Sequence, residues 1–304
     1  MSKLHRMIGI WMLVTAMCGA VCLADGRGRH KRMFAVPVPG KVRIDGELDD
    51  WDLSGQILMY VVSQTQETQS ARFALMYDKE ALYLSAELRD PSPMMNRHDP
   101  QVDGHKGWDA DACQFRIVVD PERGHPVNES SFQYRGENAS NDTSDEIKHM
   151  TLWYYTDRKE PNLQMHMGMS YRVPRKQWEP HGVVARDKFD AAYRMAEDKR
   201  GYTFEYRIPW ETLGADDPPQ AGDLVTGTVQ FNWSRPDGLK TAGGSAWAYD
   251  VMSQPGFPFQ TTGCWGKIVF SKEGNLPREL VEEGAPPERP LPLTFEYDLP
   301  EDSQ

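Results

Sequence analysis

Cysteine is scarce in this sequence, which has four among its 304 residues. Cys18 and Cys22 lie in an apolar N-terminal segment, which leaves Cys113 and Cys264 for the rest of the chain. Two cysteines are too few for a disulfide framework or a zinc cage. Both fall on apolar-facing positions of predicted strands, which favours two buried thiols over a bridge, and the pattern alone does not decide whether they pair.

Several signatures of catalysis are also missing. The sequence contains no nucleophile elbow, no His-Glu metal motif and no phosphate-binding loop. Acidic residues are plentiful, so a pair of carboxylates acting on a glycosidic bond remains the enzymatic alternative. Positive charge is short, since 34 Lys and Arg oppose 45 Asp and Glu for a net charge of −11. Phosphate backbones repel such a chain, and nucleic acid is therefore not an expected partner.

Long apolar stripes with a helical period are absent, and alternation with a period of two takes their place. Residues 73–77 and 82–88 alternate on either side of a turn at 78–80, which predicts a β-hairpin with one buried face. The same alternation recurs at residues 113–119, 202–208, 225–233 and 264–270. The pattern predicts an all-β protein, an antiparallel β-sandwich with little helix.

The two ends of the chain differ from its body. A basic start, an apolar run and small residues at 22–24 predict a signal peptide over residues 1–24, with an uncleaved membrane anchor as the alternative. Cleavage predicts a secreted, periplasmic or cell-surface protein without a membrane span. A basic leader over 25–35 precedes the body at 36–272. A linker rich in Pro and Glu over 273–291 then leads to 292–304, the start of a truncated further β-domain of a longer chain.

Five segments of the body, in this order, resemble the family 9 carbohydrate-binding modules and their wider DOMON-like relatives. They read IDGELDDW at 44–51, FALMYD with LYL at 73–84, WDADACQF at 108–115, YTFEYRIPW at 202–210 and GCWGKIVF at 263–270. The resemblance implies a jelly-roll type of β-sandwich that binds a saccharide without cleaving it. It also implies an association with glycoside hydrolases and carbohydrate catabolism. A haem or redox module is the alternative within the same superfamily, and a sandwich whose sugar site has decayed is another.

The resemblance also implies a site in which two tryptophans grip a sugar. Trp108 and Trp247 are the candidates, because both follow polar or Gly-rich loop sequences where a core residue is unusual. The alternative is that either indole only packs against its loop. Gln114 stands where the family usually has an acidic sugar ligand, which is a departure. Arg135 and Arg235 resemble the two arginines that contact sugar in the family.

Strand alternation supplies polar partners independently of the family. If Phe115 and Phe231 face the core, then Gln114, Gln230 and Asn232 face the opposite way. Amide groups donate and accept hydrogen bonds in the plane that adjacent sugar hydroxyls require. These three residues are therefore predicted sugar ligands, and a merely solvated strand face is the alternative.

No cofactor is required by the sequence, although two segments suggest one. Asp45, Glu47 and Asp49 form an acidic loop whose oxygens suit a structural calcium ion, unless Asp45 simply makes a turn. Met165 and His166 begin an alternating Met-rich stretch that invites haem ligation. The alternation places its methionines on one face, which favours core packing.

Overall fold

Strands dominate the structure, a computed structural model that describes residues 30–127, 147–167, 182–249 and 262–282. Within these ranges there are twelve strands and one short α-helix. The strands are β1 (Arg32–Pro37), β2 (Ile57–Tyr60), β3 (Ser70–Tyr77), β4 (Ala81–Arg89), β5 (Ala112–Val118), β6 (Ile147–Tyr155), β7 (Glu160–Met167), β8 (Asp190–Met195), β9 (Gly201–Pro209), β10 (Leu224–Asn232), β11 (Ala246–Trp247) and β12 (Gly266–Phe270). The helix α1 covers Arg278–Glu282. A mainly β protein with little helix is thus confirmed.

All twelve strands belong to one mixed sheet. Its hydrogen-bonded order is β7-β6-β5-β10-β12-β1-β3-β4-β9-β8, with β11 added to β10 and β2 added to β3. Strand β1 runs parallel to both β12 and β3, whereas the remaining pairs are antiparallel. The predicted antiparallel arrangement is therefore wrong at β1, and the jelly-roll type stays a prediction.

The two ends of this sheet approach each other. Residues 182–184 run beside β7, where the Met165 amide donates to the Gly182 carbonyl at 2.9 Å. The chain then continues into β8 at the other end of the sheet. From β9, the Tyr206 hydroxyl donates to the Asn162 carbonyl of β7 at 2.7 Å. These contacts curl the sheet into a form close to a barrel.

Aromatic rings from facing parts of the curled sheet fill its centre. The Phe73 ring of β3 lies 5.9 Å from the rings of Phe115 and Phe231, on β5 and β10. All three are almost completely buried, and burial of one such side chain stabilises the fold by about 1.5–3 kcal/mol. The cysteines of this region, Cys113 and Cys264, are buried thiols.

Strand β1 corrects the predicted boundary between the basic leader and the body. Residues Met33, Phe34 and Ala35 were assigned to the leader, yet all three are buried in a strand between β12 and β3. A strand that is covered on both faces has consecutive apolar residues and no alternation. An alternation with a period of two is therefore absent from this strand, and the sequence pattern does not reveal it.

Part of the predicted linker over 273–291 packs against the body. Val281 of α1 is buried, and Leu276 is half-buried against the core. The Asn275 amide also donates to the Asp52 carboxylate at 2.6 Å. Residues 273–282 therefore belong to the body, because their few apolar side chains find partners that their composition did not reveal.

The predictions for the ends of the chain concern segments beyond this body. The signal peptide over 1–24 and the truncated domain over 292–304 lie outside the described residues. Of the helices within the described ranges, none is long and apolar enough to cross a membrane.

Candidate functional site

One face of the β7-β6-β5-β10 region is lined with polar side chains. The register explains it, because Gln114 of β5 lies opposite both Gln230 of β10 and Thr151 of β6. Side chains of directly opposed residues share a face, and this one is opposite to the aromatic core. We call this surface the polar face; its members are Gln114, Arg116, His149, Thr151, Gln164, Thr228, Gln230 and Asn232.

The polar face is buried, which corrects the expectation of an outward-facing surface. Gln114 and Gln230 are each 3% exposed, and Arg116 is fully buried. Alternation correctly predicted on which side of the strand these residues lie. It carries no information on whether later segments of the chain cover that side.

A hydrogen-bond network organises the polar face around a buried cation. Arg116 Nη2 donates to Gln114 Oε1 and to Gln230 Oε1, each at 3.2 Å. Gln114 Nε2 lies 3.1 Å from His149 Nε2 and 3.4 Å from Thr151 Oγ1. Burial lowers the pKa of Arg116 to about 9, so the guanidinium is still protonated at neutral pH. The face thus presents one positive charge held among amides.

Trp247 borders the polar face from β11. It lies opposite Gln230 in the β10–β11 pair. The Arg116 guanidinium carbon is 5.2 Å from the centre of the Trp247 ring, within the range of a cation–π contact. Only 7% of Trp247 is exposed. The Gly-rich sequence before it suggested an open flexible loop, but strand pairing and the contact with Arg116 place the indole in the interior.

Trp108 borders the same face from the loop before β5, and it is 44% exposed. Asn96 Nδ2 holds this loop by donating to the carbonyls of Gly107 and Asp111, at 2.7 and 3.0 Å. Gly107 passes so close to Trp153 that a Cβ there would lie 3.0 Å from the ring. The exposed indole is therefore carried by a fixed backbone.

Asn232, the last residue of β10, connects the loops of the two tryptophans. Its Nδ2 donates to the Trp108 carbonyl at 2.7 Å. Its Oδ1 accepts from Ser245 Oγ at 2.6 Å and from Gln230 Nε2 at 2.9 Å, and Ser245 lies two residues before Trp247. The structure thus brings together five predicted site residues: Trp108, Gln114, Gln230, Asn232 and Trp247.

Arg235, one of the two predicted arginines, does not join this group. Arg235 is exposed in the turn after β10, where its amide donates to the Lys240 carbonyl at 2.8 Å. Among the described contacts, none joins its side chain to the polar face. Arg135 lies outside the described residues.

Comparison with known proteins identifies the family. The model of the carbohydrate family 9 binding domain-like family matches residues 44–273, well over half of the chain. The chain belongs to this family. No match was found among curated proteins.

Two solved structures show what the family 9 domain is similar to. Both are carbohydrate-binding modules of family 9 from Caldicellulosiruptor kristjanssonii, one in complex with cellotriose and one with glucose. The first is 20% identical to this chain with a TM-score of 0.51, and the match covers 81% of this chain and 96% of the module. The second is 19% identical to this chain with a TM-score of 0.51, and the match covers 81% of this chain and 98% of the module. At this level of identity the likeness concerns the fold.

The acidic loop of this family 9 domain is occupied by arginines. Arg43 Nε pairs with Asp45 Oδ2 at 3.0 Å, and its Nη2 pairs with Asp49 Oδ1 at 2.9 Å. Glu47 pairs with Arg194. Throughout the described ranges, no group of three or more His, Cys, Asp or Glu side chains is placed to hold a metal ion. The structure thus does not assemble the predicted calcium site, because Asp45 and Asp49 are paired with Arg43 and Glu47 is paired with Arg194.

Glu205 of β9 holds the same loop, a role that the sequence did not suggest. Its Oε2 accepts from the amides of Asp45, at 2.9 Å, and Gly46. Its Oε1 accepts from the indole nitrogen of Trp51 at 2.5 Å. Burial raises the pKa of Glu205, and these hydrogen bonds to the carboxylate act in the opposite direction. In the sequence Glu205 looked like any polar residue of an alternating strand.

A buried pair of carboxyl groups lies behind the Trp108 loop and was also missed. Asp111 accepts from the Met95 amide and from the Ser234 amide, each at 2.6 Å. Asp90 is also buried, and its carboxyl group and that of Asp111 influence each other's protonation. Burial raises the pKa of Asp90 to about 6. Burial also raises the pKa of Asp111, and the negative charge of Asp90 raises it further. Two buried carboxyls in contact share a proton, and this pair ties the loop to the end of β10.

The segment considered for haem is described only in part. Met165 lies opposite Met150 in the β6–β7 pair and is half-buried against the core. This position agrees with the packing interpretation. The side chains of His166 and Met167 and the whole of Met169 lie outside the described residues.

Proposed function

We propose that this family 9 domain is a non-catalytic carbohydrate-binding module that holds a sugar ring against Trp108, beside the polar face. One observation supports the proposal above all others. A large indole is 44% exposed on a loop whose backbone is fixed by hydrogen bonds. Large apolar rings are normally placed inside a protein, so an open one on a rigid support suits a ligand.

The chemistry of the exposed indole fits a saccharide. The CH surface of a sugar ring stacks on an aromatic face, and its hydroxyl groups need partners once water is removed. Gln114, Gln230 and Arg116 are at most 3% exposed and are hydrogen-bonded to one another, so this network supports the site and does not contact the sugar. A hydroxyl left without a partner costs about 1–3 kcal/mol. The exposed indole, whose carbonyl is held by Asn232 at the edge of this network, is therefore the part of the site that offers a sugar a stacking surface.

We propose the grip of two tryptophans in an asymmetric form. Trp108 supplies the open wall, whereas Trp247 lies over Arg116 and closes the site from the strand side. The modules of similar fold were solved with cellotriose and with glucose. These two sugars are therefore the first ligands to test.

The setting of this activity is part of the proposal. We propose a secreted, periplasmic or cell-surface protein that takes part in carbohydrate catabolism beside glycoside hydrolases or further domains of a longer chain. The support is the sequence alone, namely the predicted signal peptide over 1–24 and the predicted further domain at 292–304.

Isothermal titration calorimetry with glucose and cellotriose tests the binding function. We expect Trp108→Ala to weaken binding about 10- to 100-fold, because stacking on an indole and its buried area contribute roughly 1.5–3 kcal/mol. Val102→Ala is the matched control, since Val102 is 69% exposed on the same loop and should leave affinity unchanged. Equal affinity in wild type and Trp108→Ala would contradict the proposal, and so would release of reducing sugar by the protein.

A further inference from the structure

Asn232 was predicted as a sugar ligand, but its carboxamide is engaged within the protein. The oxygen accepts two hydrogen bonds, from Ser245 Oγ and Gln230 Nε2, and so uses both of its lone pairs. The nitrogen donates one of its two hydrogens to the Trp108 carbonyl. The residue is 2% exposed. Little hydrogen-bonding capacity is left for a ligand.

The partners of Asn232 are informative because they come from separate segments. The Trp108 carbonyl belongs to the backbone of the residue that carries the exposed indole. Ser245 lies at the start of the segment that enters β11 and reaches Trp247 two residues later. Asn232 itself is the last residue of β10, which the sheet holds on both sides. One side chain on a rigid strand therefore fixes both loops.

We propose that Asn232 is a positioning residue, which sets the place of Trp108 relative to Trp247 and the polar face. It does not contact the saccharide. The expected effect of Asn232 on saccharide affinity rests on the proposed function. The expected effect of Asn232 on the order of the Trp108 loop does not.

Asn232→Asp separates the two roles, because it retains the shape and the acceptor oxygen. The hydrogen-bond donor facing the Trp108 carbonyl becomes an oxygen, which that carbonyl repels. Two amides report on the loop without any ligand: those of Gly107 and Asp109, which donate to carbonyls at 104 and 106 at 3.1 and 2.7 Å. We expect their hydrogen exchange to accelerate at least about fivefold in the variant.

Thr228→Val is the matched control for the exchange experiment. Thr228 is buried on the same strand, and its hydroxyl has no hydrogen-bond partner among the described residues. The change is nearly isosteric, and we expect the loop amides to exchange as in wild type. If Asn232→Asp does not fold, Asn232→Ser removes the same contact without adding charge. Unchanged exchange at residues 107 and 109 in the folded Asn232 variant would overturn the proposal.

A double-mutant cycle with Trp108→Ala tests the effect on binding. A residue that acts through Trp108 has nothing left to position once the indole is removed. We expect Asn232→Asp to weaken cellotriose binding at least about fivefold in the wild-type background and less than about twofold in the Trp108→Ala background. Equal losses in the two backgrounds would mean a direct contact with sugar and would overturn the proposal. If wild type binds no saccharide, the proposed function fails, and the exchange experiment alone decides the role of Asn232.

Discussion

Trp108 and Trp247 border the same polar face, yet their surroundings are opposite. Trp108 is 44% exposed on a loop whose backbone is held by hydrogen bonds, whereas Trp247 is 7% exposed and packs over Arg116. Both follow sequences that look like ordinary loops. The difference shows that similar loop sequences do not decide whether an indole is exposed or packed in the interior. Under the proposed function, the exposed Trp108 would stack on the ligand, and the buried Trp247 would mainly stabilise the fold.

The largest expected effect is a difference in stability between the variants Trp247→Ala and Trp108→Ala. Trp247→Ala removes a buried ring and leaves a cavity beside Arg116, so we expect the free energy of unfolding to fall by about 3–5 kcal/mol. Trp108→Ala removes a ring that is already 44% exposed, and we expect a smaller loss of about 1 kcal/mol. Urea denaturation measures both. Similar losses in the two variants would remove the distinction between a binding and a stabilising tryptophan.

The second effect concerns the buried carboxyl pair Asp90 and Asp111, which lies behind the Trp108 loop and has no counterpart described at Trp247. The pKa of Asp90 is raised from 3.8 to about 6 by burial, so the folded protein retains a proton that the unfolded chain releases. The contribution of this proton to the free energy of unfolding is fully present below about pH 4 and is lost as the pH rises through 6. We expect the free energy of unfolding to fall by on the order of 2–3 kcal/mol between pH 4 and 8 because of this group.

Asp90→Asn should remove most of this decrease, since the amide has no proton to lose. Urea denaturation at several pH values measures it. Asp49→Asn is the control, because Asp49 is exposed and pairs only with Arg43 among the described contacts. The same pH dependence in Asp90→Asn as in wild type would show that the pair does not stabilise the loop through a shared proton.

The smallest expected effect tests how tightly the Trp108 loop is fixed. In Gly107→Ala the new Cβ would lie 3.0 Å from the Trp153 ring, so the loop must shift by a few tenths of an ångström. We expect a loss of about 1 kcal/mol in stability and a loss of about twofold in affinity for cellotriose. Gly40→Ala is the control, since a Cβ there meets nothing within 4 Å. Wild-type affinity in Gly107→Ala would mean that the position of Trp108 is not critical.

Much of the fold was predictable where local patterns carry the information. The hairpin of β3 and β4 follows from alternation around the turn at 78–80, and the core side of β5 follows from Cys113 and Phe115. Strand β1 was missed because its apolar residues are consecutive. The role of Glu205 was missed because its partners lie about 160 residues earlier in the chain, and an alternating pattern records nothing of such distant contacts.

The sequence by itself determined that the protein is mainly β, which residues of β5 and β10 face the aromatic core, and that Trp108 follows a polar loop sequence. These properties follow from side-chain alternation and turn chemistry, which act over a few residues. Only the tertiary structure decided that the polar face is buried, that Trp247 is an interior residue and that Asn232 joins the two loops. Each of these properties depends on segments that are far apart in the chain and come together in the sheet. The packing of the whole molecule sets the register in which these segments pair.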